Sequence, residues 1–226
     1  MIWRTILLIL TLALSPTGPA QAQTEPPRIL VMGDSLMAMN RILGGSVAQA
    51  LGKALGVKVT DNSTLGARYF FQVPVLNAAG MKIKAQFTEG PWDYVVMNGG
   101  GNDLLFGCGC GSCTRMMSRL ISPDATTGAI PDLVAELRAS GARVIYTGYL
   151  RTPGLISPVE GCGPLGDEMD RRLARLSERD PGFRFVLLSD LVTTDGDRSF
   201  HGIDLVHPSV KGSRAIAGRI AALITP

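Results

Sequence analysis

Arg28-Ile29-Leu30-Val31-Met32-Gly33-Asp34-Ser35-Leu36 is the stretch whose reading decides the fold. A run of aliphatic residues stops abruptly at a glycine, and two small polar residues follow before the next apolar one. A continuous apolar run of strand length suits a strand buried on both faces, as in a parallel sheet, better than a strand with one face in water. Gly33 permits a sharp turn immediately after it, and Asp34 is placed to cap a following helix.

Working outward, the same pattern recurs. Val57 to Thr60, Asp93 to Met97, Ala142 to Thr147 and Arg184 to Leu188 complete a set of five short runs rich in β-branched and aromatic residues. Between them, apolar residues fall at helical spacing: Val47, Ala48, Leu51, Ala54 and Leu55; Leu133, Val134 and Leu137; Met169, Leu173 and Leu176; Ile216, Ile220 and Leu223. Pro131 at a helix start and Gly141 just past a helix end follow the usual asymmetry of helix termini. Alternation of this kind predicts a doubly wound α/β sheet with right-handed crossovers, in which ligands bind beyond the carboxyl ends of the strands.

The chain begins with a different kind of segment. One positive charge at Arg4 precedes the apolar stretch Ile6 to Leu14, which is shorter than the roughly 20 residues a membrane-spanning helix needs. A Pro/Gly break follows at 15–19, and Ala20-Gln21-Ala22 supplies a small-x-small cleavage pattern. Residues 1–22 therefore read as a signal peptide, with an uncleaved anchor as the alternative, and residues 23–226 as one exported domain, periplasmic or secreted. No later run is long and apolar enough to anchor the chain stably in a membrane. The formal charge is +3, or +2 once Arg4 is removed, and the basic residues are scattered rather than blocked, so a nucleic-acid partner is not indicated.

Cys108, Cys110, Cys113 and Cys162 read most simply as two disulfides in an oxidising compartment, with three possible pairings. The spacing also allows a metal cluster or a redox pair, but no histidine lies nearby, and no metal or other cofactor is expected. Cys108, Cys110 and Cys113 follow the third apolar run and Cys162 follows the fourth. Because those strands are neighbours in a doubly wound order, one disulfide is expected to cross between the two loops and stiffen the pocket rim.

Four segments place reactive or polar groups at strand ends or before the last helix. They are Gly33-Asp34-Ser35-Leu36, Asn62-Ser63-Thr64-Leu65-Gly66, Gly99-Gly100-Gly101-Asn102-Asp103 and Asp204-Leu205-Val206-His207-Pro208. Taken singly, each has an ordinary structural reading as an N-cap, a turn glycine, an Asx turn or a loop. The chain has two histidines, and His207 has a carboxylate three residues before it and a proline after it, whereas His201 sits in a plain loop. His207 is therefore the better candidate for a general base near neutral pH.

Together the four segments resemble the sequence blocks of the SGNH/GDSL hydrolases, in the family's order and across nearly all of residues 23–226. The cysteine-rich insertion after Asn102 does not match that pattern. The resemblance implies a three-layer α/β/α fold around a central five-stranded parallel sheet, of flavodoxin-like type. It implies Ser35 as nucleophile, His207 as base and Asp204 as its orienting carboxylate. The Ser35 and Gly66 N–H groups and the Asn102 side-chain amide would form an oxyanion hole. The expected activity is hydrolysis of a small-molecule carboxylic ester, whether lipid, acyl or carbohydrate. Acyl transfer to a sugar hydroxyl and a non-catalytic binding role on the same scaffold are the alternatives.

Overall fold

The computed structural model describes residues 25–224, so the segment read as a signal peptide lies outside the described residues. Five strands, β1 (Ile29–Val31), β2 (Val59–Asp61), β3 (Tyr94–Met97), β4 (Arg143–Thr147) and β5 (Phe183–Val186), form one sheet in the order β2-β1-β3-β4-β5. Every pairing is parallel. The helices that position the site or cover the sheet are α1 (Ser35–Ala38), α2 (Val47–Leu55), α3 (Gly101–Cys108), α4 (Thr114–Leu120), α5 (Ala129–Ala139), α6 (Gly163–Arg179) and α7 (Val210–Ile224).

Successive side chains of a strand point to opposite faces, and here both faces are covered. Leu30, Val95, Val144 and Tyr146 pack with α3 to α6, while Ile29, Val31, Val96 and Ile145 pack with α1, α2 and α7. The central strands are thus buried on both sides, which is why their sequences read as unbroken apolar runs. The expected α/β/α architecture and five-stranded parallel sheet are both present.

All five strands differ from the sequence reading by one or two residues at an end, and the second and fifth show why. The second strand starts at Val59 rather than Val57, because Gly56 ends α2 in the left-handed conformation and the Val57 N–H bonds back to the Gly52 carbonyl. Those residues are spent on closing the helix. The fifth strand spans Phe183–Val186 rather than Arg184–Leu188, since the chain turns into a short 3₁₀ segment at Ser189. In α7, Leu223 is partly exposed and Ile224 is buried in its place.

The order β2-β1-β3 is a topological switch point: the chain leaves β1 toward one edge of the sheet and β3 toward the other. A crevice opens there at the carboxyl ends of the strands. The cysteines pair as Cys108–Cys113 and Cys110–Cys162. The second bond joins the segments after β3 and β4, as expected, and all four cysteines are paired. Among the described residues, no helix is long and apolar enough to cross a membrane.

Candidate active site

Ser35 opens α1 directly after β1, on a turn built from contacts to three other parts of the chain. Gly33 has φ of +133°, and a Cβ there would lie 2.0 Å from Asn98 Oδ1, so the position admits only glycine. Gln86 clamps the same residue from both sides: the Gly33 N–H donates to its Oε1 (2.6 Å) and its Nε2 donates to the Gly33 carbonyl (2.9 Å). Asp34 is buried and caps α1, its Oδ1 accepting from the Leu36 N–H at 3.0 Å. Asn98, after β3, donates from Nδ2 to that Oδ1 (2.7 Å) and accepts from the Asp34 N–H (3.0 Å). Tyr149, after β4, donates its hydroxyl to Asp34 Oδ2 at 2.5 Å and accepts from the Gly101 N–H at 3.0 Å. Burial raises the Asp34 carboxyl above its usual value, against the hydrogen bonds from Tyr149, Asn98 and the Leu36 amide.

His207 reaches this turn from the loop before α7. Its Nε2 lies 2.8 Å from Ser35 Oγ, and its Nδ1 lies 2.6 Å from Asp204 Oδ2. The other oxygen of Asp204 accepts from the Val206 and His207 N–H groups at 3.1 and 3.0 Å, so one carboxylate shapes the loop and orients the ring. Burial alone would raise Asp204, but the bonds from the His207 ring and the two backbone amides outweigh it and hold the carboxyl below its usual value. Asn40 Nδ2 donates to the Pro208 carbonyl (2.9 Å) and fastens this loop to the chain just beyond α1. His201 is buried beside the same loop, its Nδ1 without a partner and its pKa lowered by burial. It is packed into the loop rather than a second base at the serine.

The glycine and asparagine segments complete the arrangement. Gly66 has φ of +74° and lies, with Ser35, Asn102 and His207, on the wall of one cavity of about 400 Å³. Asn102 Nδ2 donates to the Ala67 carbonyl at 3.1 Å, which ties the asparagine to the loop carrying Gly66. Asp103 holds that loop more firmly, its two oxygens accepting from the Tyr69 and Phe70 N–H groups at 2.9 Å each. Arg41 secures the loop from the other side, donating from Nη2 to the Ser63 carbonyl at 2.7 Å. Chemically, a hydroxyl bonded to an imidazole that is itself bonded to a carboxylate can attack a carbonyl carbon, and amide donors on the same cavity wall can stabilise the resulting oxyanion.

Every residue singled out from the sequence thus lies at the carboxyl edge of the sheet, and Ser35, Asp204 and His207 are directly connected. Sequence reasoning missed Asn98, Tyr149, Gln86, Asn40 and Arg41, which hold the site together. Tyr149 carried the strongest signal, as an aromatic hydroxyl just past the end of an apolar strand.

The sequence profile described as the GDSL-like Lipase/Acylhydrolase family matches residues 31–215. No curated protein matches the chain significantly by sequence. Among solved structures, the chain resembles a member of the lipolytic G-D-S-L family from Veillonella parvula at 16% identity, covering 88% of this chain and 98% of that one with a TM-score of 0.60. It also resembles TesA, at 19% identity with 88% and 98% covered and a TM-score of 0.58. A family two carbohydrate esterase from Clostridium thermocellum, solved in complex with cellohexaose, is similar at 18% identity, with 89% of this chain and 65% of that one covered and a TM-score of 0.57. At such identities these likenesses speak for the fold.

Proposed function

Because the chain belongs to the GDSL-like lipase/acylhydrolase family, we propose that it is a serine hydrolase of carboxylic esters acting through an acyl-enzyme intermediate. The observation that carries this reading is the unbroken chain of hydrogen bonds from Ser35 Oγ through His207 to Asp204, on the wall of a largely apolar cavity. Ser35 Oγ bonds to the acyl carbon while its proton passes to His207 Nε2. The carbon–oxygen bond to the alcohol then breaks, and the same proton goes to the departing oxygen. Water repeats the sequence on the acyl-enzyme and regenerates Ser35. Asp204 keeps the ring in the tautomer that accepts at Nε2 and stabilises the imidazolium. The Ser35 and Gly66 N–H groups and the Asn102 amide serve as the oxyanion donors.

Two disulfides support a place in an oxidising compartment, periplasmic or extracellular, for a single hydrolase domain spanning 23–226 after loss of the leader. The test is a fluorophosphonate probe combined with hydrolysis of p-nitrophenyl esters. The wild type should label. Ser35→Ala should not, and should lose roughly a millionfold in turnover. Asn102→Ala should still label while losing about 100- to 1,000-fold in rate. Wild-type hydrolysis by Ser35→Ala would overturn the assignment.

A further inference from the structure

The cavity beside Ser35 has one wall that the catalytic segments do not supply. Leu104, Leu105 and Phe106 of α3 form one part of it, and Leu150, Val159 and the Cys110–Cys162 bond form another. The cysteine-rich insertion therefore lines the pocket rather than decorating a distant surface.

The segment between β4 and α6 has little regular structure, yet it is fastened repeatedly. Cys162 bonds covalently to Cys110. Arg151 donates to Asp167 (3.0 and 2.8 Å), to Asp170 (2.6 Å) and to the Tyr149 carbonyl (2.9 Å). The Pro153 carbonyl accepts from the Gly196 N–H at 2.8 Å. A loop pinned in this way gives the cavity a fixed shape. Arg151, fully engaged, presents no free charge to it. Glu160 is exposed, as is Phe106, which places both at the mouth.

We propose that this cavity is a binding site for an unbranched aliphatic acyl chain of roughly eight to twelve carbons, with the Cys110–Cys162 bond as the wall that limits its length. The inference rests on Ser35 as nucleophile. The volume of about 400 Å³ corresponds to about a dozen water-sized shares, and a methylene is close to that size. The acyl rather than the alcohol side is assigned from proton transfer. His207 must protonate the leaving oxygen, so the alcohol departs on the His207 side, where the His207 and Asp204 side chains are 27% and 44% exposed. The acyl group then lies toward the apolar wall made by Leu104 and Leu105 of α3 and Leu150 and Val159 of the pinned segment.

The test is the kcat/KM profile of p-nitrophenyl esters from acetyl to hexadecanoyl, alongside acetyl esters of alcohols of increasing length. In the wild type, the rate should rise by up to about fourfold per methylene as the chain fills the cavity, and fall once it meets the wall. Cys110→Ala/Cys162→Ala should open the end of the cavity and move the optimum to longer chains, raising the hexadecanoyl-to-octanoyl ratio by about fifteenfold, the equivalent of burying two more methylenes. Cys108→Ala/Cys113→Ala, which removes the bond outside the cavity lining, should keep the wild-type ratio. Val159→Trp leaves both disulfides in place and should shift the optimum to shorter chains, so the test survives misfolding of the cysteine variant. A wild-type profile with no rise along the acyl series, a preference that follows the alcohol instead, or an optimum unmoved by Val159→Trp would overturn the proposal. Probe labelling separates the two levels. A flat acyl profile in an enzyme that labels at Ser35 removes only the acyl site, whereas absence of labelling removes the nucleophile beneath it.

Discussion

The turn at Gly33–Ser35 is sealed into the sheet edge, with Gln86, Asn98 and Tyr149 bonded to it from distant parts of the chain. The loop at Asp204–Pro208 is shaped mainly from within, through bonds that Asp204 accepts from residues two and three positions on, with one tie from Asn40 to Pro208, and lies partly in solvent. The two meet at one hydrogen bond between Ser35 and His207. On the proposed mechanism, the difference separates fold stability from proton transfer in this site. Lesions in the turn should damage both, and lesions in the loop should damage chemistry alone.

The sharpest way to break that contrast is Asp204→Asn. Loss of the orienting carboxylate should lower kcat by about 10⁴-fold through the wrong tautomer. Urea unfolding should move by no more than about 0.5 kcal/mol, as for a surface substitution. A loss of several kcal/mol would show that the loop is as structural as the turn. Gly33→Ala probes the other side. The new Cβ would overlap Asn98 Oδ1 at a backbone conformation that disfavours side chains, and should cost about 2–5 kcal/mol of stability in urea melts. Activity should fall with it, and a stable, active Gly33→Ala protein would remove the distinction from the opposite direction.

The smallest effect is also the most direct reading of the two environments. Burial holds Asp34 above the ordinary 3.8, so its contribution to stability is fully present below 3.8 and is lost as pH rises through its higher value. Asp204 is held below 3.8 despite its partial burial, so its contribution is present above 3.8 and is lost as pH falls through its lower value. Carbon-detected NMR titration of the two carboxyl groups should give midpoints on opposite sides of 3.8. Two midpoints on the same side would erase the contrast.

The loop was legible in the sequence for the same reason that it is self-contained. Asp204, His207 and Pro208 lie within five consecutive residues, and their spacing carries their geometry. The strands were legible because burial on both faces leaves uninterrupted apolar runs, and the two-residue error at the start of the second depended on a helix cap at Gly56. The turn was legible only in its own residues. Asn98 is 64 positions from Asp34 and Tyr149 is 115, and nothing local marks either as a partner. The crossing disulfide was foreseen from strand adjacency, but choosing Cys110 over Cys108 or Cys113 depended on where α3 ends and the chain reverses at Gly109.

The Cys110–Cys162 bond closes a covalent ring that contains α4, α5 and β4, with β4 lying next to β3 in the sheet. A protease that nicks any peptide bond inside this ring severs the backbone without separating the fragments. The portion bearing Ser35 stays tethered to the portion bearing His207. If the protein is exported as proposed, such a tether would keep a chain nicked once inside this ring in one covalent piece, with the two halves of the site still held together.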